Sequence, residues 1–142
     1  ARERILTDRA AESMYVSGLL QAAALDVVTQ PAWRTPLRGF RDQLRTRRDL
    51  LLTSLQTHTP SVHIETIPVG GLNLWVRLPE GTDTSDVVGA CETRGLIVAP
   101  GTEWFPAEPS GPYLRLNYSG EDPARFPEAA RILQNVLQTS SR

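Results

Sequence analysis

The sequence predicts an α+β protein: a small, mostly antiparallel sheet covered by helices, with a helical segment in front of it. Helical spacing of apolar residues dominates the first 60 residues, and a two-residue alternation of apolar and polar residues follows. The change falls at HTPS, residues 58–61. We therefore expect a helical segment at 1–60 and an α+β domain at 61–142.

The first part of the chain predicts helices. Residues 3–12 are charged with moderate helical character, and SGLLQAAALDVVTQP forms an apolar helix with Ser17 as its N-cap. The next helix begins at Thr35 and Pro36, an N-cap followed by proline at the first helical position, and runs to about Leu55. Its apolar residues share one face: Leu37, Phe40, Leu44, Leu51 and Leu55.

The next stretch predicts a hairpin followed by a helix. VHIETI (62–67) and LNLWVRL (72–78) flank the turn residues PVGG, which is typical of two paired strands. In the second strand the inward residues are Leu72, Leu74, Val76 and Leu78. TDTSDVVGACETRG (82–95) begins with capping residues and ends in glycine, so it predicts a helix.

The last part predicts two strands and a closing helix. LIVAP (96–100) predicts a short buried strand. GPYLRLNYSG (111–120) contains a strand with one apolar and one more polar side. Its apolar side holds Leu114, Leu116 and Tyr118, and its other side holds Tyr113, Arg115 and Asn117. The final helix is capped at Asp122-Pro123 and has an apolar face of Phe126, Ala129, Ala130, Leu133, Val136 and Leu137.

Composition excludes several classes of function. The net charge is −1, so no basic excess indicates nucleic-acid binding by this chain itself. The single cysteine, Cys91, offers no internal disulfide, and the chain has no Cys/His cluster of metal-site spacing. No apolar run is long enough for a membrane span or a signal peptide. We expect a cytoplasmic protein without membrane contact.

Arg115 is the main candidate for a ligand contact. A guanidinium on the polar side of a strand, beside the loop GTEWFPAEPSGP, suits bidentate capture of a carboxylate or phosphate. The alternative is an arginine that lies along the sheet or pairs with Glu103 or Glu108. Trp104 and Phe105 in the same loop are either loop anchors or part of a ligand lid.

Other conspicuous residues have simpler explanations. The arginine row at 34, 38, 41, 45 and 48 could follow phosphates, but Asp42 and Asp49 lie at pairing distance, which favours a solvated helix flank. His58 and His63 lack partners at metal-ligand spacing. Cys91 lies within an apolar helix and is expected to be a packed thiol.

The chain contains three motifs in a fixed order: GGLNLWVRLP (70–79), GLIVAPGTEWF (95–105) and GPYLRLNYS (111–119). Their order and spacing resemble the C-terminal small domain of fold-type I, pyridoxal-phosphate-dependent aminotransferases of classes I and II. The resemblance covers nearly the whole chain and is greatest to the aminotransferase-like half of MocR-type regulators of the GntR group. It implies that Arg115 binds the α-carboxylate of a substrate or effector. Trp104 and Asn117 are then possible contacts in the same site.

The resemblance also has implications for the cofactor and for partners. In this family a lysine holds pyridoxal phosphate as a Schiff base, and all 15 basic residues here are arginine. The chain is therefore expected to be a fragment that holds no cofactor covalently, with pyridoxal phosphate bound in a longer parent. Expected partners are the parent's own large domain, a second copy in a homodimer, and an amino-acid or amine effector. DNA would be bound only through a separate N-terminal domain.

Three functions are consistent with these residues. The parent is a transcriptional regulator that senses pyridoxal phosphate or an amino compound, a class I/II aminotransferase of amino acids, or a binding or structural domain without a cofactor. The features that separate the first two lie upstream of Ala1: a winged helix-turn-helix in the regulator, and a chain that starts with the large domain in the enzyme.

Overall fold

A computed structural model describes residues 17–120 and 122–140 of the chain. It contains two compact units, Ala1–Phe40 and Arg41–Arg142. The boundary between them falls inside a helix, whereas the change from helical to alternating sequence pattern falls at 58–61. The helix expected at 3–12 lies outside the described residues.

The described part of the first unit is helical. Helix α1 spans Gly18–Thr29 and buries none of its residues within this unit, and a 3-10 turn at Pro31–Trp33 leads into helix α2, Arg34–His58. Ser17 occupies the predicted N-cap position of α1, although its side chain makes no capping hydrogen bond. The predicted start of α2 at Thr35-Pro36 is wrong, because the 3-10 turn passes directly into the helix through the Arg34 N–H, which donates to the Pro31 carbonyl.

The second unit is built around a three-stranded antiparallel sheet. Strands β1 (Asn73–Arg77), β2 (Ala99–Pro100) and β3 (Tyr113–Asn117) lie in the order β1-β3-β2, so β3 is central. Trp75 of β1 and Ala99 of β2 are the cross-strand partners of Arg115. Both expected features of the fold class, the small antiparallel sheet and its helical cover, are confirmed.

The predicted hairpin does not form. Residues 62–67 contribute one isolated antiparallel bridge, in which the His63 N–H donates to the Arg77 carbonyl over 2.9 Å and the Arg77 N–H donates back over 2.8 Å. Val62 and Ile64 are partly buried and pack against the core. The alternation correctly predicted three inward side chains, Leu74, Val76 and Leu78, but it carried no information on main-chain pairing, and β1 pairs mainly with β3.

The strand at LIVAP is shorter and less buried than predicted. Only Ala99 and Pro100 pair with β3, both are half-buried, and Ile97 is 87% exposed. A short apolar run does not distinguish a buried strand from a connecting segment, and Pro100 has no N–H to extend a ladder. Leu72, predicted to point inward, is also exposed, because it precedes β1 at the turn around Gly71.

The core lies between one face of the sheet and three helices. Leu74 and Val76 of β1 and Leu114 of β3 are completely buried there. Helix α3 (Thr84–Glu92) begins at Asp83, whose carboxylate accepts hydrogen bonds from the backbone N–H groups of Ser85 and Asp86. The helices add the remaining core side chains, among them Leu51, Leu55, Val87, Cys91, Phe126, Ala130, Leu133, Val136 and Leu137.

Helix α4, Phe126–Ser140, follows a 3-10 turn at Pro123–Arg125 that is capped by the predicted Asp122. Among the described residues, no helix has the length and apolar character needed to cross a membrane.

Candidate functional site

Arg115 lies on the central strand, on the face of the sheet opposite the core. Its neighbours Leu114 and Leu116 are buried on the core side, and Tyr118 continues that side beyond the strand. The predicted two sides of β3 are therefore confirmed. Because β3 is flanked by β1 and β2, the guanidinium is carried by the most constrained strand of the sheet.

One donor of the Arg115 guanidinium lacks a hydrogen-bond partner among the described residues. Its Nε is buried and has no hydrogen-bond partner in the part of the chain that the structure describes. The ion pairs between described residues belong to Arg45, Arg48 and Arg77, so neither Glu103 nor Glu108 neutralises Arg115. Since a buried unpaired donor costs about 1–3 kcal/mol, an external partner for this group would be strongly favoured.

Trp104 covers Arg115. The guanidinium carbon Cζ lies 4.0 Å from the centroid of the Trp104 ring, well within the range of a cation–π contact. Trp104 ends a 3-10 turn, Thr102–Trp104, and 54% of its surface is exposed. The ring therefore contacts the charge without being part of the core.

The loop that carries Trp104 is anchored on both sides of it. Phe105 packs edge-to-face on Trp75 at 5.7 Å between ring centroids and also contacts Tyr113 at 5.5 Å. On the other side, the Gly101 N–H donates to the Tyr113 carbonyl over 2.7 Å. Phe105 is thus a loop anchor, whereas Trp104 stacks on the candidate ligand-binding group.

Asn117 shapes the turn that follows β3. Its Oδ1 accepts hydrogen bonds from the backbone N–H groups of Ser119 (2.8 Å) and Gly120 (3.3 Å), and its Nδ2 donates to Oδ1 of Asn73 over 3.1 Å. Asn117 borders the same cavity as Arg115, so the structure brings these two predicted residues together.

That cavity has a volume of about 640 Å³ and lies in the second unit. Arg115 and Asn117 border it from β3, the segment 95–99 borders it from the side of β2, and α4 contributes Phe126 and Leu133. A space of this size can hold a small organic ligand. Arg115 is one of the residues that border this cavity, whereas Trp104 borders a second cavity of about 380 Å³ together with Trp75, Phe105 and Tyr113.

A second polar cluster was not predicted. The Tyr113 hydroxyl donates to Oε1 of Glu65 over 2.8 Å, and Arg77 forms ion pairs with Glu65 at 3.3 Å and with Glu80. The hydrogen bond from Tyr113, together with Arg77, lowers the pKa of Glu65, and the same hydrogen bond raises the pKa of Tyr113. Arg77 and Tyr113 are cross-strand partners, so the cluster would have been visible only with the strand order known.

The remaining candidates have structural roles or stay at the surface. Arg48 is largely buried and donates to the Pro68 carbonyl over 2.7 Å, so it is not part of a solvated flank, whereas Arg38 is exposed. Cys91 is completely buried, and burial raises the pKa of its thiol, as expected for a packed side chain. Within the described ranges, no group of three histidine, cysteine or acidic residues could hold a metal ion.

Comparison with solved structures defines the class. The fold matches kynurenine aminotransferase of Pyrococcus horikoshii, solved with PMP, with a TM-score of 0.62 and 25% identity over 69% of this chain and 24% of that one. An archaeal alanine:glyoxylate aminotransferase matches with a TM-score of 0.61 and 27% identity over 67% of this chain and 24% of that one. The chain has the α+β fold of the small domain of pyridoxal-phosphate-dependent aminotransferases.

Sequence relatives include regulators as well as enzymes. The uncharacterised HTH-type transcriptional regulator YdfD of Bacillus subtilis is 28% identical over 72% of this chain and 21% of its own length. Aromatic-amino-acid aminotransferase 1 of Thermococcus litoralis is 26% identical over 75% of this chain and 28% of its own length. No protein-family model matches. The chain is an aminotransferase-like domain of the kind that such enzymes and HTH-type regulators share, and it spans less than a third of these relatives.

Proposed function

We propose that this chain is the C-terminal part of the effector domain of a MocR-type regulator of the GntR group, in which Arg115 binds the carboxylate of an amino-acid effector. The observation that carries the proposal is the buried Nε of Arg115 on the central strand, which has no hydrogen-bond partner among the described residues, in a side chain that borders a cavity of about 640 Å³. A carboxylate entering that cavity would neutralise the charge and accept hydrogen bonds from the guanidinium, whose Nε has no acceptor among the described residues.

Arginine suits this role for geometric reasons. Its planar guanidinium presents parallel N–H groups to the two oxygens of a carboxylate, and its charge does not titrate in the physiological range. Placement on β3, between β1 and β2, fixes the direction from which the carboxylate is held. Holding the carboxylate end fixes the orientation of the rest of the ligand. In this way a binding residue can align the amino group of the ligand with a reactive group elsewhere in the protein.

Pyridoxal phosphate fits the parent protein and not this chain alone. The chain contains no lysine, since all 15 basic residues are arginine, so it cannot supply the amine to which this cofactor is attached. When bound, the cofactor supplies an aldehyde that reacts with amino groups. The described residues would act at the other end of the same ligand, where Arg115 holds the carboxylate.

The regulator needs partners beyond this chain. We propose that the effector site is completed by a large domain, that two copies form a homodimer, and that a winged helix-turn-helix at the N-terminus of the parent binds DNA. The relative YdfD is described as an HTH-type transcriptional regulator, which supports the DNA-binding part of this proposal.

An amino-acid aminotransferase is the second candidate, and the Thermococcus litoralis relative favours it. The two candidates predict different natural proteins. Intact mass and N-terminal peptides of the protein isolated from its source separate them: a long chain beginning with a winged helix-turn-helix identifies the regulator, and a chain beginning with a lysine-bearing large domain identifies the enzyme.

Carboxylate binding is tested in the natural full-length protein with matched ligand pairs. Calorimetry compares each of a panel of L-amino acids with the amine that lacks its carboxylate, for example L-phenylalanine with phenethylamine. We expect the protein to prefer the acid, and Arg115→Ala to weaken acid binding by about 2–5 kcal/mol, or roughly 30-fold to several thousandfold.

Two variants serve as controls for the loss of the guanidinium. Arg115→Lys keeps the charge without the planar fork and should recover only part of the affinity. Arg38→Ala removes an exposed arginine from α2 and should leave binding unchanged. An Arg115→Ala protein that binds the acids as tightly as the wild type refutes the assignment.

A further inference from the structure

We propose that Trp104 is a positioning residue for Arg115: its indole ring holds the guanidinium in one plane and shields the flat face of that group, so that a carboxylate is received along the nitrogen edge. This inference rests on the proposed function of Arg115. It adds a residue that selects ligands carrying a carboxylate over otherwise similar amines.

A guanidinium can be contacted in its plane and on its flat face at the same time. A carboxylate binds a guanidinium in the plane of its N–H groups, whereas an aromatic ring stacks on the flat face. Cζ of Arg115 lies over the Trp104 ring, 4.0 Å from its centroid, which is the distance expected for a ring stacked on the flat face. A ring stacked in this way leaves the in-plane positions to a ligand. Both contacts can therefore exist at the same time, and the ring need not leave when a carboxylate binds.

The burial of Arg115 shows why such a ring matters. Its Nε is inaccessible to solvent although no described residue accepts a hydrogen bond from it. A flexible arginine would turn this donor towards water, since an unsatisfied donor is costly. The ring restrains the side chain, and a restrained guanidinium loses less conformational entropy on binding a carboxylate.

Trp104 is held at this position by its neighbours and contributes little to the core itself. Gly101 is fixed to β3 by its hydrogen bond to Tyr113, and Phe105 is packed between Trp75 and Tyr113. Trp104 lies between these anchors and is still 54% exposed. An anchored loop that leaves a large aromatic ring half in solvent, over a cation that forms no ion pair with a described residue, is better explained by ligand recognition than by packing.

The test uses two substitutions at Trp104 in the natural full-length protein. Trp104→Phe keeps an aromatic ring, and Trp104→Leu keeps apolar bulk without a ring. The probes are L-phenylalanine and phenethylamine, or the matched acid and amine of the panel that bind most tightly, measured by calorimetry. Thermal unfolding of each variant confirms that the fold is intact.

We expect Trp104→Leu to bind the acid about 2-fold to 10-fold more weakly, the cost of ordering one long side chain on binding, and to bind the amine as the wild type does. Trp104→Phe should stay within about 3-fold of the wild type for both probes. In the Arg115→Ala background, Trp104→Leu should cause no further loss, because the two residues act as one unit.

Each contrary result has a separate meaning. Equal weakening of acid and amine by Trp104→Leu, or no weakening of either, overturns the positioning role. A wild-type protein without preference for the acid, or an Arg115→Ala variant that keeps the preference, refutes the proposed function itself. Loss of preference in Arg115→Ala but not in Trp104→Leu leaves Arg115 as the carboxylate site and removes only Trp104.

Discussion

Replacing Gly101 with alanine tests how closely the loop before Trp104 is packed on the central strand. A Cβ at this position would lie 2.7 Å from the Cβ of Tyr113, 2.8 Å from Cζ3 of Trp75 and 2.8 Å from the carbonyl oxygen of Tyr113. The Trp75 ring could move, but the Tyr113 carbonyl belongs to β3 and also accepts the Gly101 N–H. Either the loop or the strand must therefore shift.

The backbone of Gly101 lets the steric contribution be isolated. Its φ of −81° and ψ of −19° are accessible to alanine, so no conformational strain is added. At an open site of this kind, alanine would stabilise by about 0.4–1 kcal/mol through the unfolded state. Overpacking costs about 1–3 kcal/mol, so we expect a net destabilisation of about 0.5–2 kcal/mol.

Urea unfolding of the 142-residue chain measures the effect against a matched glycine. With a slope of about 2 kcal/mol per M, Gly101→Ala should lower the midpoint by about 0.3–1 M. Gly89 lies within α3 and does not have a positive φ. A Cβ at this position would have no neighbouring atom within 4 Å. Gly89→Ala should therefore stabilise, by about 0.5–1 kcal/mol. If Gly101→Ala lowers the free energy of unfolding and Gly89→Ala raises it, the packing argument is supported. If Gly101→Ala raises the free energy of unfolding, the argument is refuted.

Two further results follow from the titrating groups. The hydrogen bond from Tyr113 and the charge of Arg77 hold the pKa of Glu65 below its ordinary 4.5. The ionised carboxylate therefore contributes its full stability above pH 4.5, and this contribution is lost as the pH falls through the lower pKa of the folded state. Tyr113→Phe should lose less stability than the wild type between about pH 7 and about pH 3 in urea unfolding, and equal losses would contradict the coupling. Cys91 is completely buried and burial raises the pKa of its thiol, so its reaction with an aromatic disulfide reagent should be at least about a thousandfold slower than in the urea-unfolded chain. A fast reaction of the native protein would show that the α3 core opens readily.

The sequence was most informative where one side of an element is buried. The alternation of Leu114 and Leu116 around Arg115 predicted the two faces of β3, because a strand with one face in the core must follow a period of two. The capping residue Asp122 and the helical spacing after Phe126 likewise predicted α4. These predictions were correct because each rests on residues that are close to one another in the sequence.

The rest depends on contacts between distant residues. The pairing of Trp75 with Arg115 requires the order β1-β3-β2, which no local pattern specifies. The hairpin at 62–78 was wrong for the same reason, since adjacent strands in sequence were expected to be adjacent in the sheet. The stacking of Trp104 on Arg115 depends on a 3-10 turn and on the close approach of Gly101, so it could be stated only as an alternative between anchor and lid.

The strand order has a consequence for synthesis on the ribosome. β3 lies between β1 and β2 in the sheet but follows both in sequence, so neither edge strand has its main partner until residues 113–117 have left the exit tunnel. Until then the apolar side chains of β1, Leu74 and Val76, lack the face that buries them, and α4 completes their cover later still. The nascent chain must therefore keep an unpaired apolar strand from aggregating through the synthesis of about 40 residues, the interval in which a chaperone would be most needed.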